Sequence, residues 1–393
     1  MPLSDLTSAQ KALLAQDIPA FSEAEMMRRR KALEVVMQEA GVDALLLYGA
    51  NRAGSAIQWI TGWPVTAEGA CLVVPGKQDV LWVEYFNHIP LATRIAAQAD
   101  VRSGVPSLID NVIEEISARK LGEGRLGILG PVGLAVGQKL EAACGQLANL
   151  GKAYVDLRLI KSAEEIDWLT IGAALSDEAI VAMRAELKPG MSERELADLV
   201  EHAYVPHGGT THIHYFGISS MESPAQYVPQ QFTTNRQMNA GDVVFCEISA
   251  AFWGYAGQVL RTFAIAAEPT PLYQELYATA EEAYQEITSV LRDGVSPAQV
   301  VEASGIIERN GFTTCDDLVH GYGGGYFPPI LGTSSRPAGP LPEMNFKAGM
   351  TVVVQPNVIS PEHNAGVQLG DLMLIEQNGV KPLHQAPREF FQI

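Results

Sequence analysis

The first half of the chain alternates between apolar positions at helical spacing and apolar runs of strand length. Residues 23–40 place apolar side chains near helical spacing and are followed by Gly41, a residue type that often ends a helix. The run 42–49 has strand length, and residues 69–84 predict a hairpin that turns at 75–77. The pattern then predicts a helix at 111–121, a strand at 125–130, a helix at 136–150 and a strand at 153–157. This alternation indicates an α/β domain with a mixed sheet.

The pattern changes after residue 158, where long helices are followed by long strands. Ser162 with Glu165, and Ser192 with Glu195, have the spacing of capping boxes, which mark helix starts. Strands are then predicted at 243–249, 259–266, 351–358 and 372–376, with helices at 273–292 and 297–310. Helices packed on a curved antiparallel sheet form an α+β architecture, so the sequence predicts two domains.

Composition and charge narrow the class of protein. The 393 residues include 45 acidic and 27 basic side chains, a net charge of −18. This balance argues against nucleic acid or an anionic membrane as partner, because both favour Lys and Arg clusters. None of the four cysteines lies in a C-x-x-C pair, and no run of about 18 apolar residues occurs. We expect a cytoplasmic, enzyme-sized protein without a membrane span.

Eight short stretches occur in an order typical of one known family. They are residues 42–63, 159–169, 188–197, 239–248, 254–263, 320–325, 347–356 and 366–379. With these motifs the chain resembles the pita-bread fold family of methionine aminopeptidase, prolidase, aminopeptidase P and creatinase. The resemblance implies a creatinase-like α/β N-terminal domain at 1–158 and a pita-bread catalytic domain at 159–393.

The resemblance also fixes where metal ligands would lie. Metallopeptidases of this family bind two metal ions through two Asp, one His and two Glu. Only one anionic side chain remains at these positions, and neutral amides and glycines are poor ligands for a dinuclear site. We therefore expect no metal and no cofactor. The five positions are Glu247, Gln258, Gly324, Gln355 and Gly370.

Loss of the ligands makes the chain similar to the metal-free branch of the family, ectoine hydrolase and creatinase. This likeness implies a metal-independent hydrolase for a C–N bond of a small nitrogenous compound, such as a cyclic amidine, an amide or a guanidino group. Glu247 would share one strand face with Phe245 and Ser249 and would act as base or nucleophile, because burial raises a carboxyl pKa.

Other side chains are candidates for the same site. His320 lies in the family's glycine-rich loop, and His212 and His214 are two residues apart, so they would share one face of a strand. We predict these three as catalytic, although a loop or cavity-lining role is the alternative. Glutamine amides would orient substrate without adding charge. The predicted substrate-binding residues are Gln258, Gln355, Tyr326 and Trp63.

Trp63 is chosen because creatinase-type dimers lend that region to the partner's active site, so the resemblance implies a homodimer. Ordinary core packing is the alternative for Trp63.

Three alternatives to the main function stay open. They are a metallo-aminopeptidase or Xaa-Pro dipeptidase if the ligands are misassigned, a lyase that uses the same carboxylate, and a degenerate binding domain without catalysis.

Overall fold

The computed structural model describes residues 2–50, 56–122 and 124–393. Residues 51–55, part of the family-like stretch 42–63, therefore lie outside the described residues. The chain forms two compact units, one of residues 17–158 and one in which residues 2–16 join residues 159–393. The predicted N-terminal domain included these first residues, whereas Leu3 donates its backbone N–H to Glu178 of the second unit at 2.8 Å.

The unit of residues 17–158 is built on a six-stranded mixed sheet. Its strand order is β4-β3-β2-β1-β5-β6, with β1 antiparallel to β2 and parallel to β5. The strands are β1 (Ala44–Ala50), β2 (Glu68–Val73), β3 (Val80–Val83), β4 (Asp100–Ser103), β5 (Arg125–Leu129) and β6 (Gln146–Asn149). The helices are α2 (Glu23–Ala40), α3 (Ala56–Thr61), α4 (Ile89–Ile95), α5 (Leu108–Ala118), α6 (Leu134–Cys144) and α7 (Gly151–Leu159). Apolar clusters cover both faces of the sheet.

The predicted strand at 153–157 is wrong, because this segment belongs to α7. The short apolar run had no period that could separate strand from helix. The preceding residues 146–149, predicted to end a helix, form β6 instead. The side chain of Asn149 accepts the backbone N–H of Gly151, the first residue of α7, at 2.8 Å.

The second unit is dominated by an antiparallel sheet in the order β12-β11-β13-β15-β9-β8-β7, with β16 and β17 added at β15 and β9. Its helices are α1 (Ser8–Leu14), α8 (Ala163–Glu186), α9 (Glu193–Tyr204), α10 (Pro271–Val290), α11 (Pro297–Ala303) and α12 (Ile306–Arg309). Its longer strands are β7 (Thr210–Ser220), β8 (Asp242–Phe252), β9 (Tyr255–Ala264), β12 (Tyr326–Leu331) and β15 (Gly370–Ile375). Shorter strands are β10 (Thr313–Thr314), β11 (Val319–Tyr322), β13 (Thr351–Val354), β14 (Val358–Ile359), β16 (Val380–Pro382) and β17 (Phe391–Gln392).

Local signals explain the two helices that cover this sheet. The side chains of Ser162 and Ser192 each accept the backbone N–H of a glutamate three residues on, and the carboxylate of that glutamate accepts the serine backbone N–H. These are the capping boxes expected from the sequence. Among the described residues, none of the helices has the length and apolar character needed to cross a membrane.

Candidate active site

The hairpin of β8 and β9 places Glu247 beside Gln258. Ser249 lies opposite Gln258, and Glu247 lies opposite Leu260. Because side chains alternate along a strand, Glu247, Ser249 and Gln258 project from the same face. The side-chain nitrogen Nε2 of Gln258 donates a hydrogen bond to Oε1 of Glu247 at 2.6 Å. The register therefore agrees with the face predicted for Glu247.

A chain of amides connects Glu247 to two aspartates. Nε2 of Gln258 also lies 3.3 Å from Oε1 of Gln355, whose own Nε2 donates to the backbone oxygen and Oδ1 of Asp317 at 3.1 and 3.3 Å. Nδ2 of Asn357 donates to Oδ2 of Asp316 at 3.1 Å. These side chains form what we call the carboxyl–amide cluster: Glu247, Asp316, Asp317, Gln258, Gln355 and Asn357.

The sequence did not predict Asp316, Asp317 or Asn357 as members of the site. The two aspartates lie in the loop between β10 and β11, and only the paired strands of the folded sheet bring this loop to Glu247. A signal was present, since two adjacent acids stand just before His320 in a loop that resembles the family's active-site loop.

Burial dominates the electrostatics of the cluster. It raises the pKa of Glu247 to about 8, and the negative charges of Asp316 and Asp317 add to this effect. Burial and the neighbouring Asp317 likewise raise the pKa of Asp316 to about 7, and burial raises the pKa of Asp317. Among the described residues no Lys or Arg forms an ion pair with these three carboxyls. The cluster can therefore hold and release protons near neutral pH.

His320 and Tyr326, two of the predicted site residues, lie at one side of the cluster. Burial lowers the pKa of His320 to about 4, so its imidazole is neutral at pH 7. Its ring stacks on Tyr326 with centroids 4.3 Å apart, and its Nε2 is 3.9 Å from Oδ2 of Asp317. The Tyr326 hydroxyl donates to the same oxygen at 2.9 Å, and 52% of this residue is exposed.

His212 and His214 do not act together as a pair. The register of β7 shifts at His212, so the alternation assumed from the sequence fails there. His212 has its ring centroid 6.2 Å from that of Tyr322, whose ring in turn lies 5.4 Å from that of His320. His214 pairs with Ile248, on the face opposite Glu247, and its Nδ1 lies 3.0 Å from Oε1 of Glu201. The structure therefore does not bring His214 to the carboxyl–amide cluster.

Trp63 lies in the other unit, of residues 17–158. It is buried, with 4% of its surface exposed, and belongs to an apolar cluster of that unit. Its ring centroid is 6.4 Å from that of His88. These surroundings are those of core packing, the alternative to the predicted substrate contact.

The donor set does not fit a pair of metal ions. At the positions expected from the resemblance the structure has a single carboxylate, two amides and two glycines. In the described parts of the chain, no group of three or more His, Cys, Asp and Glu side chains could hold a metal ion. Gly324, where the family has histidine, has φ +68°, in the left-handed region that glycine adopts most readily.

A one-residue shift in the alignment does not supply the missing ligand. Gly370 pairs with Leu260 and so shares the face of Glu247, whereas its neighbour Asp371 points to the opposite face. There Asp371 Oδ1 accepts a hydrogen bond from Nη2 of Arg261 at 2.8 Å. A Cβ added at Gly370 would lie 2.7 Å from the backbone oxygen of Val354, so no side chain fits without a backbone shift.

Two family models match the chain. The model described as Metallopeptidase family M24 matches residues 167–377, and Creatinase/Prolidase N-terminal domain matches residues 29–160. The chain belongs to metallopeptidase family M24. This M24 protein thus joins a creatinase/prolidase N-terminal domain to a pita-bread domain, which confirms the fold predicted from the sequence.

Curated relatives and solved structures cover most of the M24 chain. A Pyrococcus furiosus Xaa-Pro dipeptidase is 24% identical over 82% of this chain and 88% of the relative, and one from Pyrococcus horikoshii is 23% identical over 93% and 99%. A Bacillus anthracis Xaa-Pro dipeptidase structure has a TM-score of 0.79 at 21% identity, covering 94% of this chain and 100% of that one. The Thermotoga maritima X-Pro aminopeptidase has a TM-score of 0.80 at 19% identity, covering 93% and 99%.

These comparisons correct the predicted function. The expectation of a metal-independent hydrolase for non-peptide C–N bonds, similar to ectoine hydrolase, is wrong. The family is one of metallopeptidases, and these relatives are named for peptide substrates. Membership of a peptidase family supports hydrolase activity, which the sequence had predicted. It does not restore the ligands, however, because the donor set of this M24 protein remains one carboxylate, two amides and two glycines.

Proposed function

We propose that the protein hydrolyses the peptide bond of small dipeptides of the Xaa-Pro class. The observation that carries the proposal is the carboxyl–amide cluster, which occupies the family's site frame in a chain that Xaa-Pro dipeptidases match along most of its length. Peptide hydrolysis needs a base for the attacking water and an acid for the leaving nitrogen. Carboxyls with pKa values near 7 and 8 offer both forms at neutral pH.

Within this proposal Glu247 is the first carboxyl of an acid–base pair that transfers protons during hydrolysis. Its Oε1 is held by Gln258, which fixes the orientation of the carboxyl and leaves Oε2 for water or substrate. Asp316, whose pKa is about 7, is the second carboxyl of the acid–base pair. The neutral amides of Gln258 and Asn357 donate to Glu247 and Asp316, respectively, and orient the two carboxyls without adding charge. No step is assigned to a metal ion, because the donor set does not fit one.

The test is proline release from Ala-Pro and Met-Pro, with Ala-Ala as a control substrate. The Glu247→Gln variant keeps the size of the side chain and removes its proton transfer, so we expect a loss of about 10²–10⁴ in kcat. The matched control is Glu286→Gln, an exposed glutamate of α10. Assays with chelator and with added Mn²⁺, Co²⁺ or Zn²⁺ run in parallel. Absence of proline release under all of these conditions would refute the proposal.

Binding of dipeptides without turnover is the second candidate. Four of the family's five metal-ligand positions lack a ligand side chain in this protein, which favours binding without turnover. Calorimetry that detects Ala-Pro binding to a protein which releases no proline would select this function over hydrolysis.

We also propose that the protein is a homodimer, as the creatinase-like N-terminal domain implies. Light scattering at micromolar concentration should give about twice the monomer mass of 42.3 kDa. A mass near the monomer value at this concentration would contradict a stable dimer.

A further inference from the structure

Gln368 has a buried side-chain amide without a partner in the part of the chain that the structure describes. Its Oε1 and its Nε2 are both buried, neither forms a hydrogen bond with a described residue, and 0% of the residue is exposed. Buried amides in folded proteins almost always have partners, because an unpaired buried donor or acceptor lowers stability. The side chain therefore needs a partner from outside the chain.

The backbone places Gln368 on the face of the sheet that carries Glu247. The hydroxyl Oγ1 of Thr262 accepts the N–H of Gln368 at 2.9 Å and donates to its backbone oxygen at 2.8 Å, which keeps this segment alongside β9. Gly370 shares the face of Glu247, since both lie opposite the same residue of β9. Gln368 lies two residues before Gly370, so its side chain projects from the same face.

Asn357 connects Gln368 to the carboxyl–amide cluster. Ile359 and Gly366 pair in an antiparallel bridge. Two residues along each strand from this bridge, Asn357 lies opposite Gln368. Nδ2 of Asn357 donates to Asp316, but its Oδ1 is buried and has no partner among the described residues. The two amides thus leave two oxygen acceptors and one NH₂ group unpaired beside a carboxyl of the cluster.

These unpaired atoms are complementary to a neutral group that both donates and accepts. A carboxamide has two N–H donors and one carbonyl acceptor, so it can bond the free oxygens of Asn357 and Gln368 and the Nε2 of Gln368. Oε1 of Gln258 is a further buried acceptor without a described partner. A carboxylate has acceptors only. Arg261 of β9 cannot neutralise one here, because it lies on the opposite face and all five of its N–H donors are used.

We propose that Gln368 and Asn357 form a subsite for a neutral carboxamide at the carboxyl end of the ligand. The preferred substrates are then Xaa-Pro peptides in which an amide follows the proline, as in Ala-Pro amide or a longer peptide, an inference that rests on the proposed function. One residue separates the scissile bond from that amide, a span of about 3.5 Å. A ligand whose scissile bond meets Asp316 therefore brings its carboxamide to the neighbouring Asn357.

The experiment compares Ala-Pro amide with Ala-pyrrolidide, which has the same charge but lacks the carboxamide, and with Ala-Pro, which has a carboxylate instead. Binding is measured by calorimetry in chelator with wild type. If wild type hydrolyses any of the three ligands, all three are measured with Glu247→Gln. Because two or three hydrogen bonds together are worth about tenfold or more in affinity, we expect Ala-Pro amide to bind at least about tenfold more tightly than either other ligand.

The variant that tests the subsite is Gln368→Met, which keeps the length of the side chain and removes both polar atoms. It should reduce the preference for Ala-Pro amide over Ala-pyrrolidide to about threefold or less, with the affinity for Ala-pyrrolidide unchanged. The matched control is Gln285→Met at an exposed glutamine of α10, which should keep the full preference.

Two outcomes overturn the inference. One is equal affinity for Ala-Pro amide and Ala-pyrrolidide when Gln368 is present, which would mean that bound water satisfies the two amides. The other is a preference that Gln368→Met retains. The comparison of ligands is decisive even if Gln368→Met fails to fold. Proline release from Ala-Pro without a preference for the amide would leave the proposed function intact and remove the inference. A preference for the amide without release of proline or prolinamide would do the reverse.

Discussion

The two faces of the antiparallel sheet hold buried acids in opposite electrostatic settings. On one face Glu247 has carboxyls and neutral amides around it, and burial raises its pKa to about 8. On the other face burial alone would also raise the pKa of Asp371, but Arg261, His384 and Arg388 hold it well below its usual range. Burial alone therefore does not determine whether an acid is ionised. The charge of the neighbouring side chains determines it.

On the face that holds Asp371, which we call the paired face, all five N–H donors of Arg261 are used. The guanidinium of Arg261 donates to four backbone oxygens and one carboxylate, those of Pro387, Leu260, Gly370, Ala386 and Asp371, at 2.7–2.8 Å. The Tyr284 hydroxyl donates to the second oxygen of Asp371 at 2.8 Å. This arrangement holds strands together and leaves no N–H donor of Arg261 for a ligand. The cluster on the opposite face, with unpaired oxygens and no cation, is suited to binding instead.

The largest effect on stability is expected from removing Arg261, the cation of the paired face. Arg261→Met leaves Asp371 buried with one cation fewer and frees four backbone oxygens. We expect the free energy of unfolding at pH 7 to fall by about 3–5 kcal/mol. Urea unfolding followed by tryptophan fluorescence measures this, with the exposed Arg292→Met as control. A loss below about 1 kcal/mol would mean that the network contributes little.

A substitution at Glu247, on the face of the carboxyl–amide cluster, should change stability with the opposite sign and by at most a similar amount. Glu247 has a pKa of about 8 in the folded protein against 4.5 for an unperturbed glutamate. The folded state therefore holds a proton that the unfolded chain loses, and stability falls as pH rises from about 4.5 to about 8. Glu247→Gln lacks this titration, so its stability relative to wild type should rise across that window by about 4 kcal/mol at most.

Urea unfolding at pH 5, 6.5 and 8 measures this difference. Asp316 and Asp317 titrate in both proteins, so their contributions largely cancel in the comparison. Glu286→Gln should run parallel to wild type at all three pH values. A Glu247→Gln protein that becomes relatively less stable as pH rises would show that the carboxylate has a cationic partner after all.

The smallest effect is expected at the edge of the cluster. Tyr326→Phe removes the hydroxyl bonded to Asp317 and leaves the ring on His320. Because the tyrosine is half-exposed, water replaces the lost donor, and unfolding free energy should fall by only about 0.5–1 kcal/mol. Thermal unfolding beside Tyr85→Phe, a tyrosine with 49% exposure, provides the control. A loss of several kcal/mol would indicate that Asp317 depends on Tyr326 for its burial.

Those parts of the fold that carry local signals could be predicted from the sequence. Capping boxes at Ser162 and Ser192 start their helices as expected, and strand alternation puts Glu247 on the correct face. The helix at 151–159 was missed because a short apolar run has no decisive period. The shared strand face predicted for His212 and His214 was wrong, because the register shift in β7 is set by its pairing with β8.

Only part of the candidate site could be predicted from the sequence, because some of its residues lie in a loop. Glu247, Gln258 and Gln355 lie in strands or beside them within family-like motifs, so their positions could be carried over. Asp316 and Asp317 stand in a loop, and their distance from Glu247 depends on the docking of β11 against β13. No spacing along the chain encodes that contact. The pKa of Glu247, which follows from it, could not be predicted either.

The close packing at Gly370 restricts how the sequence of this protein could evolve. A glutamate there would place its Cβ 2.7 Å from the backbone oxygen of Val354 and 3.0 Å from Cβ of Gln355. A return to the metal-binding sequence therefore cannot begin at this position, since the first step would cost stability before any ligand was gained. Strands β13 and β15 would have to move apart first. At this position, close packing of the backbone opposes a substitution from glycine back to glutamate.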